Sequence, residues 1–389
     1  MPRMLLALAV VLVAPRATAG LMCAQPLVAH EWGVHVYATD GAPVASPVAL
    51  PGWFHRSALI PSSGAVRDLP ADNGVRFLPV LHFYAAGASS APIPVGVEVG
   101  FGAGPASVWF PQVDRLRSAA EANGAAAAAA REALLTARAA RGPMAQHPPL
   151  PADPTRQLIW DRLELTAGPR IAPADSDVPW VASARKLDAL WVNHGPESER
   201  FVFYEAGTAE PLPLALKRDR SWAPGHRAYA LENRGAHPVH DVFLTHEEAG
   251  TTYVFTASTV AAGGAVRFVL EEHAVKDRRA ATRGRLRAAL TGAHGGADVL
   301  PANPGCVMGR DPAIPVEEPA GHRLFAGEVD LILAIWGERF FDRPGTTLVW
   351  REDAATLSAA TPLSLYTDMF HYVVLQRAGL ALWEHVRLP

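Results

Sequence analysis

Between His30 and Pro111 the apolar residues come in short runs, VHVYA, VRFLPVLHFYAA, IPVGVEVGFG and ASVWFP, separated by glycine and proline. In PVGVEVGF the valines Val95, Val97 and Val99 recur at every second position, the period of a strand with one buried face. The pattern predicts a β region over residues 20–111. From 112 to 150 the composition turns to Ala, Arg, Glu and Leu, strong helix formers, and runs out through the proline-rich HPPLPADP. Its apolar positions are mostly alanine, so the stretch predicts an Ala-rich helical insertion with a thin buried face, a spacer and not a site.

Strands resume with QLIWDRLELT, whose apolar positions are Leu158, Trp160, Leu163 and Leu165, and continue through RFVFYEA and PLPLAL. From His226 to Glu272 the chain reads as five β-runs broken by turn signals at ENRGAHP, EEAG and AAGG, at the spacing of a sandwich. Residues 151–275 are accordingly expected to form an Ig-like β-sandwich region, and 276–389 a helical and strand region. Two helices start at Lys276 and at Ala326. In the second, Val329, Ile332, Leu333 and Trp336 recur at helical spacing, and Pro344 with Gly345 stops the run. A strand in TLVW, a turn-rich piece and a last strand in FHYVVLQRAGLALW close the chain. No repeat of solenoid length is visible. The expected fold is mainly β with added helices (α+β): an antiparallel β-sandwich core, the Ala-rich helical insertion, and C-terminal helices packed on a sheet.

The first residues change the picture of where this fold works. Arg3, an apolar run from Met4 to Ala14, and small residues at Ala17 and Ala19 have the layout of a signal peptide over residues 1–19, cleaved near Ala19. The apolar run is shorter than the ~20 residues that span a bilayer, and no later segment is long and uncharged enough. The expected location is therefore periplasmic or secreted, with an envelope or extracellular partner. In an oxidising compartment the two cysteines, Cys23 and Cys306, are expected to pair. So long a loop is worth on the order of 4 to 5 kcal/mol in the loop-entropy picture. Loss of Arg3 and Arg16 with the leader takes the formal charge from -3 to -5, a balance that excludes a nucleic-acid partner, which would require a basic face.

Candidate chemistry concentrates in HEWGVH, residues 30–35. The zinc-protease pattern HExxH places two histidines four apart on one helix face; here the second follows at five, about 140° away at ~100° per residue. Gly33 and the β-formers after it argue for a strand, in which His30 and His35 point to opposite faces unless a bulge at Trp32–Gly33 intervenes. Two readings stay open. In one, Glu31 pairs with an arginine and Trp32 fills the core. In the other, His30, Glu31, His35 and His82 hold a divalent transition metal. His82 and His371 sit inside apolar runs, and convergence of His30, His82 and His371 would make a mononuclear site. His240 and His246 share strand parity but stand roughly 20 Å apart at ~3.4 Å per residue. Asp175 and Asp177 form a lone DxD, too little for a calcium loop. GFGAG at 100–104 lacks the lysine and helix of a phosphate loop, and no GxSxG elbow appears.

The chain resembles a group of secreted bacterial proteins, best known from myxobacteria and planctomycetes, that open soon after the signal with HEWG and a following DG. His30-Glu31-Trp32-Gly33 and Asp40-Gly41 match, as do FLPVLHFY (77–84), VWFPQ (108–112), LIWDRLEL (158–165), RFVFYEAG (200–207) and WGERFFDRPG. Where the group continues with a Thr-Phe-Thr type run, this chain has Val34, His35 and Val36. The group carries no assigned activity. The resemblance implies secretion and a shared fold and leaves catalysis open.

Overall fold

A computed structural model describes residues 25–37, 49–56, 74–85, 91–102, 106–118, 155–207, 211–222, 227–248, 251–270, 278–291, 316–317, 324–368 and 370–389. The signal segment, Cys23, Cys306, Asp40-Gly41 and the Ala-rich stretch beyond Ser118 lie outside the described residues. The protein is mostly β, with three of its described helices laid on one side of the largest sheet and a fourth on the other.

A ten-stranded sheet forms the middle layer. Its central members are β1 (Gln25–Tyr37), β3 (Gly74–Ala85) and β19 (His371–Trp383). From β19 it extends through β17 (Gly345–Glu352) and β13 (Val239–Glu248) to the edge strand β14 (Thr251–Val260). From β3 it extends through β10 (Val202–Gly207) and β5 (Ala106–Phe110) to β2 (His55–Arg56), and β16 (Val316–Glu317) joins β19. Most pairs are antiparallel, but β1 runs parallel to β19 in unbroken register from Gln25↔His371 to Tyr37↔Trp383. Against β3 the register shifts at Gly33, opposite Leu78 and Pro79. Proline has no N–H for the ladder, so the extra residue of the bulge falls on β3 and β1 keeps its alternation.

That alternation sorts the core. Even positions of β1, with Trp32, Val34 and Val36, face a helical layer of α1 (Pro179–Ala184), α2 (Arg278–Thr291) and α3 (Ala326–Phe341). From α3, Val329, Ile332 and Trp336 enter this core, as the helical spacing predicts. Odd positions face two smaller sheets. Leu27 and Ala29 pack on a six-stranded sheet built from β18 (Leu363–Thr367), β4 (Ile93–Gly100), β7 (Thr155–Thr166), β8 (Trp191–His194), β9 (Glu197–Glu199) and β6 (Arg115–Ser118). Tyr37 packs on a three-stranded sheet of β11 (Leu214–Arg218), β12 (Ala228–Asn233) and β15 (Ala265–Val269). Over the seam between the smaller sheets lies α4 (Ala354–Ala360), started by Asp353, whose carboxylate accepts from the Ala355 N–H at 2.9 Å. No described helix is long and apolar enough to cross a membrane.

Three expectations are corrected. Residues 115–118 are strand β6 on β7, not the start of a helix, because Leu116 and its neighbours complete the edge of the six-stranded sheet. The strands of 151–275 do not form a sandwich of their own but are shared among all three sheets. The run from His226 to Glu272 supplies four described strands, β12 to β15, in place of five.

Candidate functional site

Both faces of β1 are buried, so the imidazoles and the carboxylate of HEWGVH are directed to partners inside the protein, while the buried Trp32 indole Nε1 meets no acceptor. On the helix side His30, 1 % exposed, places Nδ1 at 2.7 Å from Oε2 of Glu328, which is fully buried in the first turn of α3. The same oxygen accepts the backbone N–H of Phe325 at 2.9 Å, so one carboxylate starts the helix and ties it to β1. Directly across the ladder from His30 stands His82. Its Nδ1 donates to the carbonyl of Arg200 at 3.0 Å, which fixes the tautomer because a carbonyl can only accept. Burial holds the His82 pKa below the ordinary imidazole value, against the attraction of Glu328. Burial alone would raise the Glu328 carboxyl; the charge and hydrogen bond of His30, with His82 behind it, bring it below the usual range. Phe325 at 4.7 Å and Tyr84 at 5.2 Å, centroid to centroid, wall the His30 ring.

On the opposite face Glu31 meets Arg377, its register partner on β19, through both carboxylate oxygens. Tyr204 donates its hydroxyl to Glu31 Oε1 at 2.5 Å, and Arg377 Nη2 reaches the carbonyl and hydroxyl of Thr361 at 2.7 and 3.0 Å. Four residues on, His35 Nδ1 stands 3.4 Å from Oε1 of Glu352, against the ring of Tyr37. These groups occupy the seam between the two smaller sheets, beneath α4.

The predicted metal quartet is thus divided. His30 and His82 share one face, Glu31 and His35 the other, and the sheet itself separates the pairs, because β1 keeps its two-residue period past Gly33. As the side chains stand, no three His, Cys, Asp or Glu among the described residues converge as a metal-binding group. His371 does not join His30 and His82: it pairs with Gln25 while His30 pairs with Gln376, and its Nδ1 contacts Asp368 at 2.7 Å. Nor do His240 and His246 share a face. Asp241, at φ 46, forms a bulge in β13, and the positions facing the three-stranded sheet shift from Val239 to Val242 and Leu244. Asp175 and Asp177 are solvent-exposed.

Sequence reasoning missed Glu328, Arg377, Tyr204 and Glu352. Only Glu328 left a trace. It lies four residues before Ile332, on the apolar stripe of α3, and an acid on that stripe has to meet a partner in the core.

No known protein family profile matches this chain, and no curated protein matches it. Among solved structures it is similar to the Fcho1 Mu homology domain of Danio rerio with bound Eps15 peptide, at 7 % identity and a TM-score of 0.31. The match covers 94 % of this chain and 97 % of that one.

Proposed function

We propose that this is an extracytoplasmic β-sandwich protein with a binding role at the cell envelope, and that its HEWG motif builds the fold instead of performing a reaction. One observation carries the reading. The most chemically suggestive residues in the chain, His30, Glu31, His35 and His82, are each 6 % exposed or less and are held by partners on the neighbouring strands, helix and loop. Groups so enclosed and so directed orient secondary structure; a reacting substrate needs an accessible face. The leader-like residues 1–19 support the location.

The test is fractionation of cells producing the full chain, with N-terminal sequencing of the product. The expected product begins at Gly20 and is recovered in the periplasm or medium or sedimenting with washed envelopes. A cytoplasmic product that keeps Met1 would overturn the location. Turnover of substrates from a broad hydrolytic and redox panel, lost on His30→Ala in a protein that still folds, would overturn the non-catalytic assignment.

A further inference from the structure

The described sheets end in strands that are short or charged, with one exception. β2, β9 and β18 have two, three and five residues, and β6, β11 and β15, of four or five, carry arginine or lysine. Short length and charge keep a sheet from pairing further. β14, at the border of the ten-stranded sheet, has ten residues, TTYVFTASTV, with no charge and no proline, and is half-buried or exposed up to Val260. Among the described residues no strand pairs with its outer side, to which an edge strand turns the N–H and C=O of every second residue.

The surroundings of this edge select what pairs with it. On the helix side lies α2, which carries Arg278, Arg279, Arg283, Arg285 and Arg287 and no acid. Arg283 and Arg287 meet Asp342 and Asp330 at 2.6 and 2.7 Å. Arg285 is exposed, meets no acid among the described residues, and lays its Nη1 3.4 Å from the Thr256 hydroxyl near the middle of β14. On the other face Arg227, 5.4 Å from the Tyr253 ring centre, is already answered by Glu248. That side offers the half-buried Tyr253, Phe255 and Ala257. We propose that β14 takes up an extended segment of an acidic envelope or extracellular protein as an additional strand, with carboxylates at alternate positions beside Arg285 and apolar side chains beside Tyr253 and Phe255. Backbone pairing supplies the affinity, and the two faces select the side chains. A second copy of this chain fits worse. Antiparallel pairing of two β14 edges about their middle sets the two Arg285 guanidiniums, both carried at Thr256, close together on one face, where like charges repel. This partner deepens the binding role proposed above and rests on that reading for its location. Fractionation tests the location and titration of purified protein tests the edge, so either can fail alone.

Purified full chain is titrated against a fluorescent peptide as long as β14, with alternating glutamate and valine, and read by anisotropy. Saturable binding is expected, weakened in about 0.5 M salt, where exposed charges are screened. Arg285→Glu should weaken it by about fivefold or more, and a lysine–valine peptide should not bind. N-methylation of the peptide at alternate residues should abolish binding in one phase and spare it in the other, since only N–H groups facing β14 enter the ladder. In the peptide-free protein the outward amides of β14 should exchange quickly with solvent, and they should slow when the peptide binds. Equal binding of both peptides, equal binding by Arg285→Glu, or tolerance of N-methylation in both phases overturns the proposal. So does slow exchange of those outward amides without peptide, which would mean that the chain itself or a second copy already covers the edge.

Discussion

Glu31 and Arg377 show how a single residue pair can secure the middle of a sheet. Both are nearly inaccessible, 6 % and 2 % exposed, and their charges are compensated by each other, by the Tyr204 hydroxyl and by Thr361. Removing one partner leaves a buried charge, so Glu31→Leu or Arg377→Leu should each lower the unfolding free energy by about 3–5 kcal/mol. The double variant Glu31→Leu/Arg377→Leu should lose less than the two single losses combined, as a double-mutant cycle in denaturant would measure. Glu199 provides a pH test at the same scale. Enclosed under Arg185, which donates from Nε to both its oxygens at 2.8 and 3.0 Å, its carboxyl is pushed by burial up to about 7 from 4.5. Between those values the folded protein binds more protons at this group than the unfolded chain. Its contribution to stability therefore falls as pH rises from 4.5 to about 7. Glu199→Gln should remove that decline when denaturation midpoints are compared at pH 5 and pH 8.

At the scale of elements, the fit between strands and helices was partly legible. Apolar spacing placed α3 and β19 closely, and in β7 the spacing of Leu158, Trp160, Leu163 and Leu165 already contains its bulge. A step of three between two steps of two marks the extra residue, found at Asp161 and Arg162 opposite Gly96. The packing of α4 on β19 left no such mark. A Cβ on Gly379 would lie inside van der Waals contact with Leu357 of α4 and with the Glu352 carboxylate. Gly379→Ala should therefore destabilise the protein by about 1–3 kcal/mol through overpacking, a loss visible in thermal or denaturant unfolding. An alanine that left stability unchanged would mean that α4 is loosely seated.

For the whole molecule, the parallel pairing of β1 with β19 brings the two ends of the described chain together in the middle of the largest sheet. No part of it is then an independent sandwich. Residues 151–275 supply strands to all three sheets, and β13 needs β17 while β10 needs β3. Expressed alone, 151–275 should lack a cooperative unfolding transition and dispersed amide resonances; a well-dispersed spectrum would refute this account of the core. Contacts so distant in sequence also predict slow folding.

Local periodicity, turn residues and composition determined the class of fold, the positions of α2, α3 and most strands, and the opposite facing of His30 and His35, because a strand's two-residue period is a property of its own backbone. Partnership was another matter. That Glu31 would meet Arg377, that Glu328 would descend on His30 and His82, and that β1 would lie beside β19 depended on segments some 300 residues apart in sequence. No local pattern encodes such pairings. They are fixed only when the sheet closes and each buried charge has one reachable counterpart.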